Sequence, residues 1–323
     1  MTRVLVTGGA GFIGSHFIKL ALRRHPDWHI VNLDNLTYAG NPANLPTDPR
    51  HEFIKGDIAD AATVNRVFEP GFELVVNLAA ETHVDRSLRG AADFIRTDVL
   101  GTHTLLAAAR QHQVAKFIQI STDEVYGSLQ TGRATEESPL RPANPYAASK
   151  AAADLVALTA GVPVIITRCT NNYGPNQHVE KFIPLCITNA LDNQPLPVYG
   201  DGRNIRDWIH VEDHCAAIDH VIEHGTPGEI YNIAGGNELE NITIARQICR
   251  ILAKPESLIK FVTDRPGHDR RYALNADKLG WKPQRPFDLT GTVEWYRANE
   301  AWWRKVKSGE FRQYYQQQYG QRL

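Results

Sequence analysis

The sequence predicts an α/β fold, a doubly wound parallel sheet with a smaller C-terminal domain, and three observations predict it. Short apolar, β-branched runs alternate with helical stretches over the first 174 residues. The first run opens directly into a glycine-rich turn. Beyond residue 174, proline and glycine punctuate shorter and less regular elements. Strands separated by helices build a parallel sheet covered on both faces, because each parallel crossover needs a long return connection.

Taken in order, residues 3–7 (RVLVT) form the first strand, and a helix follows over 13–24. Further strands are expected at 30–33, 52–54, 74–78, 116–120 and 164–167, and helices at 61–68, 92–112 and 146–159. Residues 207–223 read as helix and 229–233 as strand, both returning to the main sheet. One domain therefore covers 1–174 and takes back 207–233, while the other lies mainly in 175–323. The tail from Arg297, rich in Arg, Gln and Tyr, is expected to form surface helix.

The 323 residues carry 35 Lys and Arg against 36 Asp and Glu, a formal charge of −1. Such a balance offers no electrostatic surface for nucleic acid or an anionic membrane. An anionic ligand must be met by a few local cations and backbone amides. Cys169, Cys186, Cys215 and Cys249 are widely spaced and fall into no metal-binding pattern, so reduced thiols and no metal site are expected. No run approaches the roughly 20 apolar residues of a membrane span. The N-terminus enters a strand pattern at once, so no signal peptide is expected, and the cytoplasm is the expected location.

The turn Gly8-Gly9-Ala10-Gly11-Phe12-Ile13-Gly14 joins a strand to a helix. Glycines at positions 8, 11 and 14 permit a tight turn and let backbone amides approach a pyrophosphate at the positive helix end. Spacing alone is a weak signal, and the strand–turn–helix context raises it. Asp34 ends the next strand, 20 residues after Gly14. Its carboxylate suits the hydroxyls of an adenosine ribose and would repel a 2′-phosphate, which favours NAD over NADP. A competing reading has Asp34 merely open a turn with Asn35. Asn35, Leu36 and Thr37 join the candidate cofactor set, as do Asp57, Ile58 and Thr97. Leu78, Ala79 and Ala80 supply small residues along the cofactor.

Tyr146 and Lys150 stand at i and i+4 at the start of a helix after Pro145, so they share one face. A nearby ammonium favours the phenolate and makes Tyr146 a candidate general base. With a Ser/Thr-bearing loop after the preceding strand, the chain resembles the extended short-chain dehydrogenase/reductases. That resemblance implies a Rossmann-type sheet and a catalytic set of Thr122, Tyr146 and Lys150.

Within that superfamily the sequence resembles the dTDP-glucose 4,6-dehydratases nearly end to end. The matching segments are LVTGGAGFIGSHF, AAETHVDRS, STDEVYG, YAASKA, NNYGP, EKFIPL, PLPVYGDGRNIRDWIHVEDHC and RPGHDRRYAL. Asp123-Glu124, directly after Thr122, is the discriminating feature. The resemblance implies oxidation at C4 of the sugar with Tyr146 taking the hydroxyl proton. Elimination of water across C5 and C6 follows, with Glu124 as base and Asp123 as acid, and hydride then returns to C6. It implies that Arg206 grips a phosphate, that Asn171, Lys181, Thr82 and Phe182 hold the substrate, and that Asn172 meets the nicotinamide end. Pro197, Val198 and Tyr199 would frame the base, while Asn241, Asp264, Arg265 and His268 would complete the pocket. A bland alternative for Arg206 is a surface ion pair with Asp207. The family usually has an aromatic and a proline where this chain has His178-Val179, and a serine is commoner at Ala147. Family members usually pair through helices beside the sheet, so a homodimer is expected. The rivals are a dehydratase of another nucleotide hexose such as UDP-glucose, a nucleotide-sugar 4-epimerase, a UDP-glucuronate decarboxylase and a binding protein without catalysis.

Overall fold

Local sequence sets the strands of the computed structural model, which describes residues 1–320 and 322. In chain order these are β1 (Thr2–Thr7), β2 (Trp28–Asp34), β3 (His51–Lys55), β4 (Leu74–Asn77), β5 (Lys116–Thr122) and β6 (Val164–Cys169). They continue with β7 (Asn171–Tyr173), β8 (Leu196–Tyr199), β9 (Ile205–His210), β10 (Ile230–Ile233), β11 (Glu238–Glu240) and β12 (Ile259–Val262). Seven of them form one sheet in the order β10-β6-β5-β4-β1-β2-β3, and every pairing in it is parallel. Alternate residues of β1 point to opposite faces. Val4 and Val6 pack with Phe17 and Ile18 on one side, and Leu5 packs with Leu105 and Phe117 on the other. That alternation is what a strand buried on both faces requires.

The chain runs from β1 outward to β3 and then restarts at β4 on the opposite side of β1. This reversal opens a crevice beyond the carboxyl ends of β1 and β4, the place where open α/β sheets bind ligands. Thr7 lies in register with Leu33 and Asn77, and Thr122 with Cys169, so the functional loops leave the sheet at one edge.

Three expectations are corrected. Residues 92–112 are not one α-helix, because a π-helical stretch, Ile95–Gly101, separates Ala92–Phe94 from Thr102–Gln111. The wider winding carries Asp98 into the interior, where it is buried. Residues 207–210 are strand rather than helix, since β9 pairs with β11 and β7 and the helix begins only at Val211. The tail is not a surface helix. Three helices, Thr290–Ala298, Glu300–Val306 and Glu310–Tyr319, bury Tyr296, Trp303, Phe311, Tyr314 and Tyr319 in a second core with Tyr173, Ile183, Trp208 and Ile248. Aromatic residues at helical spacing made that buried face, while the Arg and Gln between them masked it in the composition. Positions 321 and 323 of the expected tail lie outside the described residues.

Strands β11, β9 and β7 form a small second sheet, and β12 with β8 a third. The strand β10 returns to the edge of the main sheet beside β6. All four cysteines are free and buried. Among the described residues, no helix is long and apolar enough to cross a membrane.

Candidate active site

The glycine turn has little room to be anything else. Gly8 has φ +70, and a Cβ there would stand 2.6 Å from the Ala79 amide nitrogen. A Cβ on Gly14 would meet the Gly8 carbonyl at 2.3 Å. Asp34 ties this loop to the next one. Its Oδ2 accepts from the Ala10 amide at 2.9 Å and its Oδ1 from the Leu36 amide at 2.8 Å. The turn expected of Asp34 is thus present, and the same residue lines the crevice. Burial pushes its carboxyl above the ordinary range, and the two amide bonds oppose that. Every member of the expected cofactor set lines this crevice except Leu36, which contributes its backbone amide to Asp34.

At the inner end, Thr122 closes β5 and caps the short 3-10 turn Asp123–Tyr126, accepting from the Glu124 amide at 3.3 Å. Asn144 caps the helix Pro145–Leu158 by accepting from the Ala147 amide at 2.9 Å, and the proline presets its first turn. The cap fixes where Tyr146 and Lys150 project, and both line the crevice beside Thr122. The Thr122 hydroxyl lies on the Tyr146 side of the crevice, where it acts to lower the tyrosine's pKa. Lys150 is buried and donates to the Ile120 carbonyl at 2.7 Å. Here one expectation is overturned. Tyr146 is not lowered in this ligand-free crevice: burial raises its hydroxyl well above the ordinary range, and the carboxylates of Glu124 and Asp98 raise it further. Desolvation is the largest cause, and the lysine's own bond is made to a backbone carbonyl.

The two adjacent carboxyls differ in setting. Asp123 is fully enclosed, and burial followed by repulsion from Glu124 raises its pKa well above the carboxylate range. Thr122 donates to its Oδ1 at 3.2 Å, while Oδ2 is buried without a partner. Glu124 is half-buried, and its Oε2 accepts from Asn144 Nδ2 at 3.3 Å and from the Tyr272 hydroxyl at 3.2 Å. A carboxyl whose pKa is raised by burial beside one in a polar setting is the arrangement that separates an acid from a base.

Two carboxyls under the crevice were not anticipated. Asp98 accepts from Ser149 Oγ at 2.6 Å and from the Glu81 amide at 2.9 Å. Burial pushes Asp98 up to about 6, and burial with repulsion from Asp98 pushes Glu81 up to about 7. The folded protein holds these protons more tightly than the unfolded chain does. Their contribution to stability is complete below the unfolded values of 3.8 and 4.5 and is lost as pH rises through about 6 and 7. Replacing Asp98 with Asn removes one of these titrations. The melting temperature of D98N relative to the parent is expected to climb by about 4 °C between mildly acidic and mildly alkaline buffer. A difference that stays flat or falls over that interval in calorimetry contradicts the assignment.

The expected substrate residues divide in two. Thr82, Thr122, Asn171 and Lys181 line the crevice. Lys181 is partly buried and donates to the Thr82 carbonyl, and burial lowers its pKa. The Asn171 Oδ1 is buried without a partner. The others form a shelf beside the crevice rather than its wall. On that shelf Tyr199 donates to Asp85 Oδ2 at 2.7 Å, Arg265 donates to Asp85 Oδ1 at 2.8 Å, and His268 bonds Asp264 at 2.6 Å. Asn241 donates its backbone amide to Asn204 and leaves its side-chain oxygen unpartnered. Pro197 and Val198 lie in β8, with Val198 fully buried, and Phe182 packs against the second core. Arg206 is not a surface ion pair with Asp207. It is buried and donates to the carbonyls of Ile205 and Asp269 at 2.7 and 2.9 Å, while Asp207 accepts from the Gly235 and Asn237 amides.

Asn172 meets the crevice through its amide group, whose Oδ1 bonds His214 Nδ1 at 2.9 Å. His214 was missed by sequence reasoning, as were Asp85, Glu81, Asp98 and Tyr272. All but Asp98 stand inside segments that carried the family resemblance, so the signal was there without a role attached. His178 and Val179, the departure from the family pattern, lie at the crevice and in the second core respectively. Burial holds His178 at about 4, so its ring is neutral at ordinary pH.

The parallel sheet, its glycine turn and the Thr–Tyr–Lys set define a protein of the extended short-chain dehydrogenase/reductase class. The sequence profile of the GDP-mannose 4,6 dehydratase family matches residues 5–290, and the chain belongs to that family. It is 50% identical to a dTDP-glucose 4,6-dehydratase of Streptomyces niveus, over 95% of this chain and 96% of that protein. The Streptomyces venezuelae dTDP-glucose 4,6-dehydratase, solved with NAD bound, superposes with a TM-score of 0.92 at 50% identity, covering 95% of this chain and all of that one. A Thermus thermophilus UDP-glucose 4-epimerase in complex with NAD gives a TM-score of 0.85 at 31% identity, covering 92% and 100%.

Proposed function

We propose that the chain is an NAD-dependent hydro-lyase that converts dTDP-glucose to dTDP-4-keto-6-deoxy-glucose and water. One observation carries the reading: next to the Thr122–Tyr146–Lys150 set, Asp123 is enclosed with its pKa raised, while the adjoining Glu124 stands in a polar setting at the crevice. An oxidation alone needs neither group. Elimination of water needs both an acid and a base.

The residues fit NAD. Side chains are excluded at positions 8 and 14, where backbone must come close, and Asp34 stands at the end of β2 where a ribose would lie. NAD held there would supply an acceptor for the C4 hydride and a donor for C6, and its positive ring would favour the Tyr146 phenolate. Tyr146 removes the proton of the 4-hydroxyl, assisted by the hydroxyl of Thr122 and oriented by the capped helix. Glu124 then takes the C5 proton, which the neighbouring ketone has acidified, and the electron pair moves into the enolate. Asp123 gives its proton to the departing 6-hydroxyl, so water leaves as a neutral molecule. Glu124 finally returns its proton to C5.

In this reading residues 1–174 with 207–233 form the NAD-binding domain, and the rest of 175–323 mainly receives the nucleotide sugar. Arg206, Lys181 and Asn171 supply donors to its diphosphate and sugar, with Arg265 and His268 beside them. The enzyme works as a homodimer. The exposed Ile95, Leu100, Leu155 and Leu158, on adjacent helical segments, support that pairing. The reduced, buried cysteines suit the cytoplasm.

Incubating the protein with dTDP-glucose, without added NADH, is expected to yield the alkali-induced ultraviolet absorbance of a 4-keto-6-deoxy sugar. The appearance of dTDP-galactose instead would make the chain a 4-epimerase.

A further inference from the structure

The loop bearing Tyr272 joins two sites that are otherwise far apart in the chain. Both hydrogen bonds to the Glu124 carboxyl land on Oε2: one comes from Asn144, which caps the helix of Tyr146, and one from Tyr272. Tyr272 is buried, and its hydroxyl also lies 2.5 Å from Asp269 Oδ2. It has one hydrogen for two carboxyls, so it serves one of them at a time. Burial and the adjacent carboxyl of Glu124 push its pKa well up, which keeps that hydrogen in place. Above the ring sits the Arg206 guanidinium, 4.2 Å from the centroid. The same guanidinium donates to the Asp269 carbonyl, and the Tyr272 amide donates to the Ile205 carbonyl at 3.3 Å. Arg206 and Tyr272 thus form one unit, pinned by a cation–π contact and by backbone bonds on both sides.

We propose that Tyr272 is a positioning residue that aims Glu124 and couples that aim to nucleotide binding at Arg206. When the Tyr272 hydrogen is on Glu124, its bond and the one from Asn144 fix Oε2 and turn Oε1 toward the sugar. A diphosphate on Arg206 loads the segment 269–272, so the C5 base is aligned when the correct substrate tail is held. Tyr272 itself exchanges no proton with substrate. The inference rests on Glu124 being the C5 base, as read above.

Tyr272→Phe removes the hydroxyl and keeps the ring under Arg206. A charge-assisted hydrogen bond lost at the reacting group is expected to lower kcat by about 10-fold or more, with KM within about two-fold. Oxidation at C4 is expected to persist, so the near-ultraviolet absorbance of bound NADH builds up, while deuterium from solvent enters C5 more slowly by the same factor as kcat. Tyr272→Leu, which also removes the ring, is expected to raise KM as well as lower kcat. If kcat of Y272F stays within about two-fold of the parent, the proposal fails. It fails equally if oxidation, KM and melting temperature all deteriorate together, because the tyrosine is then structural. A parent protein that makes no 4-keto-6-deoxy sugar from dTDP-glucose overturns the functional reading first, and this inference falls with it.

Discussion

Changing Glu124 to Gln is expected to strand the reaction after oxidation: enzyme-bound NAD becomes reduced on adding dTDP-glucose, yet water loss falls by about 10²–10⁴-fold. The amide keeps the shape of the side chain. Its oxygen still accepts from Asn144 and Tyr272, and the Thr122–Tyr146–Lys150 set is untouched, so the first step keeps its machinery. What is lost is the ability to take a proton from carbon. A stopped-flow trace read at the NADH band, with product quantified in parallel, separates the two steps. Normal turnover by this variant would remove Glu124 from the role of base.

Tyr146→Phe is expected to act one step earlier and to abolish reduction of the cofactor as well, lowering overall turnover by about 10³-fold or more. Tyr146 is partly buried at the crevice wall and its pKa is raised there, so ionising it requires a favourable charge that arrives with the ligands. The two variants should therefore be told apart by one signal: NADH absorbance builds in the glutamate variant and stays absent in the tyrosine variant. Equal NADH build-up in both would show that the phenol does not accept the 4-hydroxyl proton.

The sequence carried the main sheet well because its strands are continuous apolar runs flanked by amphipathic helices. The glycine turn, Asp34 and the Tyr146–Lys150 pair are local patterns, so their spacing read together with the neighbouring strands and helices pointed to them. Other features depended on contacts far apart in the chain. Residues 207–210 read as helix because the pairing of β9 with β11 and β7 is nonlocal. The tail read as surface because its aromatic face meets a core assembled from residues 173–252. Asp98 had no local signature at all, and Tyr272 stood in a matching segment that attached no role to it. Each gains its role from partners on other elements, Ser149 and Glu81 for one and Glu124 and Arg206 for the other. The electrostatics of Tyr146 failed for the same reason. A lysine four residues on is visible in sequence, whereas desolvation of the phenol is a property of the assembled crevice.

The π-helical stretch 95–101 bears on what insertions and deletions this chain can tolerate. Its winding holds about one residue more per turn than an α-helix. Thr97 faces the crevice and Asp98 the interior, while Ile95 and Leu100 face outward. Deleting a single residue there would restore ordinary winding with little net rotation downstream, so the residues of the stretch itself would lose the directions that the wide turn gives them. The acid beneath the crevice and the apolar outer stripe would be displaced by the same event. Inner chemistry and outer surface therefore share one point of genetic fragility, and length is constrained there more tightly than side-chain identity.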